Sequence, residues 1–131
     1  MLLQGTTMDK RKASLYNGGT LAYIGDTVYQ ILVQEYLLET HDATAAELHR
    51  LATEMVNHDF QSDAMDRLLP QLDETERSIY NRGRNSPQTR CKRSDPAAHC
   101  RATGFEALMG YLYLAGEQER LNRLFRLAVE G

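Results

Sequence analysis

The sequence has little of what marks several special classes of protein. Only two cysteines and three prolines occur among 131 residues, tryptophan is absent, and no apolar run approaches the ~20 residues of a membrane span. Two isolated cysteines do not make a disulfide framework, so we expect a reducing compartment, the cytoplasm. The apolar start of the chain is too short for a secretory signal peptide, and we expect neither a leader nor a membrane partner.

What is present is typical of one globular domain. The length lies within the ~100–200 residues of a single domain. Apolar residues make up 42% and charged residues 25% of the chain, which argues against wholesale disorder. The chain is therefore long enough to bury a core and too short for a two-domain enzyme.

Charge is distributed unevenly along the chain. The net charge is −3. Between residues 82 and 101, however, six basic residues face one acid, and the rest of the chain carries nine basic and seventeen acidic residues. A basic segment on an acidic body indicates a contact with a polyanion. A solvated, flexible basic loop explains the same pattern equally well.

Apolar residues at three- and four-residue steps predict helices throughout, and no alternating strand pattern appears, so the predicted fold class is all-α. Residues 1–19 are predicted as an N-terminal extension with a first short helix, and residues 20–131 as a single domain with a basic loop at about 85–94. We expect a helix from Leu21 to Glu39, capped by Thr20 and buried nearly all round. The other predicted helices cover 45–57 after a Thr44–Glu47 capping box, 60–69, 74–83 after Asp73, 96–115 after Asp95, and 117–129.

Two carboxylates stand alone in the two most apolar helices. Asp26 is the only charged residue between positions 13 and 34, and Glu106 is the only one between positions 102 and 115. A buried carboxylate without a partner is costly unless it is protonated or compensated, and Mg²⁺ prefers such hard oxygen ligands. Alternatively, each acid hydrogen-bonds a neighbouring polar group or points to solvent. Spacing alone leaves both interpretations open.

Three motifs in order resemble a known family. They are LAYIGD at residues 21–26, RGRN at 82–85 and TGFEALMGYL at 103–112. Together they resemble the catalytic domain of ribonuclease III, and more closely its Mini-ribonuclease III branch, which has no separate domain for binding double-stranded RNA. The resemblance covers about residues 17–127, most of the chain.

The resemblance implies an all-helical homodimer that hydrolyses phosphodiesters of double-stranded RNA with Mg²⁺ and leaves 5′-phosphate products. For the Mini branch the implied substrate is the precursor of large-subunit (23S) ribosomal RNA, with a large-subunit ribosomal protein as a possible partner. Asp26 and Glu106 match the catalytic, metal-ligating acids. Classical ribonuclease III has two further acids, at positions that are Ala22 and Thr103 in this chain. The Mini branch lacks these two acids as well.

The same resemblance suggests roles for other residues. Thr103 would hydrogen-bond a metal-bound water or, alternatively, pack within the helix, and Tyr23 would be a dimer contact or a core tyrosine. The expected phosphate contacts are Arg82, Arg84, Arg90, Lys92 and Arg93. The chain departs from the family in an acidic stretch at 53–61 and in the residues before the glutamate motif, which affects how RNA docks rather than the chemistry.

Other classes of function remain open at the level of sequence. The pairs His41-Asp42 and His58-Asp59 each match the His-Asp dipeptide of HD-type metal phosphohydrolases. A catalytically inactive ribonuclease III-like protein that binds or assembles RNA is a second alternative. Cys91 and Cys100 are too far apart, and have too few companions, for a tetrahedral zinc site.

Overall fold

The computed structural model describes residues 9–86 and 96–131 of the chain. These residues form helices and no strand, so the predicted all-α class is confirmed. The helices are α1 (Lys10–Ala13), α2 (Gly18–Thr40), α3 (Ala45–Met55), α4 (His58–Leu68), α5 (Glu74–Arg84), α6 (Pro96–Leu114) and α7 (Gln118–Glu130). A 3₁₀ turn, Leu69–Gln71, follows α4 at Pro70.

Helix α2 begins earlier than the sequence suggests. The side chain of Asn17 accepts a hydrogen bond from the backbone N–H of Thr20 at 2.8 Å, so Asn17 is the N-cap and the prediction of Thr20 was wrong. Gly18 is the first residue of α2, and it packs closely against α5. A Cβ at that position would lie 2.4 Å from the carbonyl oxygen of Arg82.

Helix α2 is also not buried all round, contrary to the prediction. One side, including Leu21, Val28 and Val33, is buried in the core. The opposite side leaves Tyr23 81% and Leu38 67% exposed. Periodicity does not predict which apolar side of a helix is buried, because it does not record which neighbouring helices pack against that side.

Capping residues set the bounds of the middle helices. Thr44 accepts from the N–H of Glu47, as predicted, but the Glu47 carboxylate pairs with Arg50 instead of completing the capping box. The complete box is at the start of α5. There Asp73 accepts from the N–H of Glu76, and the Glu76 carboxylate accepts from the N–H of Asp73.

Helices α6 and α7 follow the predicted bounds closely. Pro96 is the first residue of α6 that the structure describes, while the predicted cap Asp95 lies outside the described residues. Gly116 has a φ of 73° and ends the turn after α6. Glycine adopts this left-handed conformation without strain, which explains the break before α7.

The core lies around α2 and α6, which pack along much of their length. Tyr29 of α2 makes edge-to-face contacts with Phe105 at 5.0 Å and with Phe125 of α7 at 5.9 Å between ring centroids. Its hydroxyl donates to the carbonyl of Met55 at 2.6 Å, which ties α3 to the centre. No helix built from the described residues is long and apolar enough to cross a membrane.

Candidate active site

The site begins with a close crossing of α2 and α6. A Cβ at Gly25 would lie 1.7 Å from the carbonyl oxygen of Glu106, and a Cβ at Gly110 would lie 2.1 Å from that of Leu21. Each glycine therefore lets the backbone of the other helix approach directly. The crossing brings residues adjacent to Gly25 and residues one turn before Gly110 to the same place.

Asp26 and Glu106 meet at this crossing. Their side chains are in hydrogen-bonding contact, so the structure brings together the two acids that the sequence sets 80 positions apart. Burial raises the pKa of Glu106, and the neighbouring Asp26 charge and the hydrogen bond to Asp26 raise it further, to about 8. Glu106 is therefore protonated at neutral pH unless a cation compensates its charge.

The two acids differ in exposure, a point that the sequence left open. Glu106 is half-buried, whereas Asp26 is exposed. Asp26 is not without a local partner either, because Gln30 one turn later donates to its Oδ1 at 3.1 Å. The site is therefore a shallow one that opens on the outer side of α2.

A further residue at this site, Gln61, was missed by the sequence analysis. Gln61 of α4 is 0% exposed and its amide lies close enough to Glu106 to lower the Glu106 pKa, against the stronger effects of burial and Asp26. The signal was available in the pattern. Gln61 begins an inward stripe that continues with Ala64, Met65 and Leu68, so a polar residue occupies a position that the period assigns to the core.

Thr103, predicted near the metal, is buried one turn before Glu106. Its hydroxyl donates to the carbonyl of His99 at 3.0 Å within α6. This bond is the usual way in which a helical threonine satisfies its hydroxyl. A role as acceptor for a water near Glu106 stays a prediction.

Tyr23 lies three residues before Asp26 and is 81% exposed. It is not a core tyrosine in the single chain. Ile31, at 45% exposure, and Leu38 are further exposed apolar residues of α2. The helix that carries Asp26 thus has a partly apolar outer surface.

The predicted RNA contacts fall partly outside the described residues. Arg82 and Arg84 end α5, but Arg90, Lys92 and Arg93 lie outside the described ranges. A guanidinium nitrogen of Arg82 donates to the carbonyls of Ser14 and Tyr16. Arg82 therefore anchors the segment after α1, and Arg84 contacts Asn85 at 3.4 Å.

The two His-Asp pairs do not take part in the carboxylate pair. His41 is the exposed C-cap of α2. The ring of His58 contacts His99 of α6, with 3.2 Å between the two Nδ1 atoms, while Asp59 is exposed. Within the described ranges no group of three or more His, Cys, Asp or Glu side chains is arranged to hold a metal ion. Cys91 lies outside those ranges.

The chemistry of the pair fits a hard divalent cation. Two carboxylates in contact repel when both are ionised, and the half-buried position of one strengthens that repulsion. Mg²⁺ typically takes one or two protein carboxylates and completes its coordination with water and phosphate oxygens. Asp26 and Glu106 supply that minimum set, and the nearby Gln61 amide adds a neutral donor and acceptor.

Comparison with known proteins agrees with this architecture and site. The model of the Ribonuclease III domain family matches residues 19–117, from the first turn of α2 to the residue before α7. The chain belongs to the ribonuclease III family, and its class is that of the endoribonucleases.

Relatives place it within one branch of that family. It is 43% identical over 112 residues to a Mini-ribonuclease 3 of Symbiobacterium thermophilum, covering 85% of this chain and 86% of the relative. It is 39% identical over 117 residues to a Mini-ribonuclease 3 of Enterococcus faecalis, covering 87% and 89%. A crystal structure of a Fusobacterium nucleatum protein shares the fold, with a TM-score of 0.79 at 24% identity over 89% of this chain and 94% of that one.

Membership of this family removes the HD-type phosphohydrolase alternative. The matched span includes both His-Asp pairs, and neither forms the site. The resemblance to Mini-ribonuclease III that the three motifs indicated is confirmed by the relatives.

Proposed function

We propose that this protein is a Mg²⁺-dependent endoribonuclease that cleaves double-stranded RNA as a homodimer. The observation that supports it is the contact between Asp26 and Glu106 across the α2–α6 crossing. These are the two acids that match the family's catalytic motifs. The proposed physiological substrate is the precursor of 23S ribosomal RNA, and the proposed location is therefore the cytoplasm, where ribosomes are made.

The two carboxylates have distinct tasks in the proposed reaction. Asp26 is exposed and accessible to a substrate, and Glu106 gives up its proton when positive charge arrives. Asp26 and Glu106 would hold Mg²⁺, and the bound ion would supply an activated water for in-line attack and positive charge that offsets the phosphate oxygens. The water oxygen bonds to phosphorus and the bond to the 3′-oxygen breaks, which leaves a 3′-hydroxyl and a 5′-phosphate.

The shape of the substrate class explains how a small acidic protein can recognise it. An A-form duplex presents phosphates and 2′-hydroxyls, whereas the base edges in its major groove are out of reach. We propose that Arg84, Arg90, Lys92 and Arg93 contact phosphates, with Arg82 positioned as an anchor for α5. Binding of this kind weakens steeply as salt concentration rises.

We further propose that the outer side of α2 forms the dimer contact. Tyr23 lies on the same helix as Asp26 and exposes a large amphipathic ring, which is typical of interface residues. Association there would cover the exposed apolar residues of α2 and set two sites on one duplex. A large-subunit ribosomal protein that presents the precursor RNA is a further proposed partner.

The decisive experiment is a cleavage assay with MgCl₂ on a long RNA duplex and on single-stranded RNA. We expect fragments from the duplex with 5′-phosphate ends. Asp26→Asn and Glu106→Gln should each reduce cleavage at least about 100-fold, because each removes a charge from the pair. Exposed Asp63→Asn and Glu119→Gln are the matched controls and should retain activity.

The outcomes separate the two remaining functions. Duplex binding without fragments, over a range of Mg²⁺ and salt, would instead identify an RNA-binding or assembly protein. Full activity of either site variant would show that the carboxylate pair is not the catalytic centre.

A further inference from the structure

Gln61 occupies an unusual position for a glutamine. Its side chain is 0% exposed, and neither Oε1 nor Nε2 has a hydrogen-bond partner among the described residues. Three of its buried companions on α4, Ala64, Met65 and Leu68, are apolar and 0% exposed. The amide therefore lies where the core otherwise accepts hydrocarbon.

A buried amide without a hydrogen-bond partner lowers the stability of the fold unless a ligand or water pairs with it. Buried polar groups are nearly always hydrogen-bonded, and an unpaired donor or acceptor loses its hydration without compensation. Methionine or leucine would fill a similar volume without that cost. Functional sites often retain buried polar groups of this kind, even though an apolar residue there would make the fold more stable.

The surroundings indicate which site uses it. The Gln61 amide lies beside the Glu106 side chain, which is itself in contact with Asp26. Gln30 stands in the corresponding place for the other acid, since its Nε2 donates to Asp26 Oδ1 at 3.1 Å. Each carboxylate thus has an amide neighbour, one from the exposed side and one from the core.

We propose that Gln61 is a positioning residue of the active site, which orients the Glu106 carboxylate through its amide nitrogen and accepts a hydrogen bond from a water at the site through its amide oxygen. An amide suits this task because it is both donor and acceptor and carries no charge to add to the pair. Groups that hydrogen-bond to metal-binding carboxylates fix their orientation and raise cation affinity. The inference rests on the proposed function in that Glu106 is taken as a ligand of the cation.

The test compares Gln61→Met and Gln61→Leu with the wild type in three measurements. The first is thermal unfolding without divalent ions, where we expect an unchanged or higher Tm because an unpaired amide has been replaced by hydrocarbon. The second is titration with MgCl₂ or MnCl₂, where we expect about tenfold weaker binding. The third is duplex cleavage, where we expect kcat to fall with KM for RNA unchanged.

Exposed Gln118→Met, at the start of α7, is the matched control and should change none of the three. A lower Tm or loss of the fold in both Gln61 variants would assign the amide a structural role and overturn the proposal. Wild-type cation affinity and kcat in both variants would overturn it as well. If the wild-type protein bound Mg²⁺ but left the duplex intact, the proposed function would fail, and the cation titration would still decide the role of Gln61.

Discussion

At the residue scale, the feature on which the proposed chemistry depends is the protonation of Glu106. Burial and the Asp26 charge raise the pKa of Glu106 to about 8. Without a cation the protein therefore enters the neutral range with one acid protonated. Binding of a divalent cation must displace that proton, so cation affinity should increase with pH.

The pH dependence of stability follows from the same shift. A group whose pKa rises from 4.5 to about 8 on folding stabilises the folded state fully below pH 4.5 and loses that contribution as the pH rises through about 8. In EDTA, the Tm of the wild type should therefore fall between about pH 5 and pH 8. Glu106→Gln should flatten this decline, and exposed Glu119→Gln should not. Thermal denaturation across this range measures it, and an unchanged slope in Glu106→Gln would contradict the assignment.

At the scale of elements, the crossing of α2 and α6 is set by two glycines. The backbone contact at Gly25 leaves no room for a methyl group, because Glu106 contributes its carbonyl oxygen there. The same contact fixes the distance between the two carboxylates. Packing and chemistry are therefore determined by one pair of helices.

Gly25→Ala should force the helices apart. The clash is with backbone rather than with a movable side chain, so we expect a loss of at least about 3 kcal/mol in the free energy of unfolding. Urea denaturation measures it, with exposed Thr20→Ala on the same helix as the control. A Gly25→Ala protein of wild-type stability would mean that α2 and α6 are further apart than described.

A second element-scale contact joins α5 to α7. Arg120 makes a bidentate pair with the buried Glu76 carboxylate, with both N–O distances at 2.8 Å, and donates to the carbonyl of Gln71. Burial by itself raises the pKa of Glu76, but Arg120 and the backbone N–H of Asp73 outweigh it, so the pKa is lowered. The same Glu76 carboxylate also completes the capping box of α5 by accepting from the N–H of Asp73.

Glu76→Gln should lower the free energy of unfolding at pH 7 by about 2–4 kcal/mol, because the partly buried Arg120 loses its counter-charge. A lowered pKa contributes stability above the ordinary value of 4.5 and loses it as pH falls through the folded value. The difference between wild type and variant should therefore shrink only below pH 4.5. Urea denaturation at several pH values tests this, with exposed Glu74→Gln as the control. Equal stabilities at pH 7 would show that the pair is dispensable.

At the scale of the whole molecule, the exposed side of α2 lies next to the site. Asp26 is exposed to solvent in the single chain. A second copy placed against Tyr23 would reduce its access to water. Dimerisation would then affect catalysis as well as the spacing of two cleavage sites.

Tyr23→Asp should dissociate the proposed dimer, because it replaces an exposed ring with a charge at the contact. Sedimentation equilibrium should show a dimer for the wild type and a monomer for Tyr23→Asp. Asn122→Asp, an exposed change on α7, should remain dimeric. Activity should fall in parallel with dissociation. A monomeric wild type, or a dimeric Tyr23→Asp, would place the contact elsewhere.

The sequence by itself determined the helical class and most helix bounds, and it singled out Asp26 and Glu106 as candidate site residues. These depend on local signals, namely periodicity, caps and a charge in an apolar stretch, which do not require knowledge of the partner helix. For the same reason Asp73, Pro96 and Gly116 were assigned correctly, while the N-cap of α2 and the Thr44–Glu47 box were not, since Asn17 and Arg50 competed for those hydrogen bonds.

Only the tertiary structure decided that the two acids meet, that Asp26 is exposed, that Arg82 anchors the segment after α1, and that Gln61 adjoins Glu106. Each of these depends on which helix packs against which side of another, and that is a sum of many weak contacts between residues far apart in the chain. The sequence alone does not distinguish a helical glutamine that faces water from one that faces a carboxylate. Its burial, and hence its cost, exists only once the helices have packed.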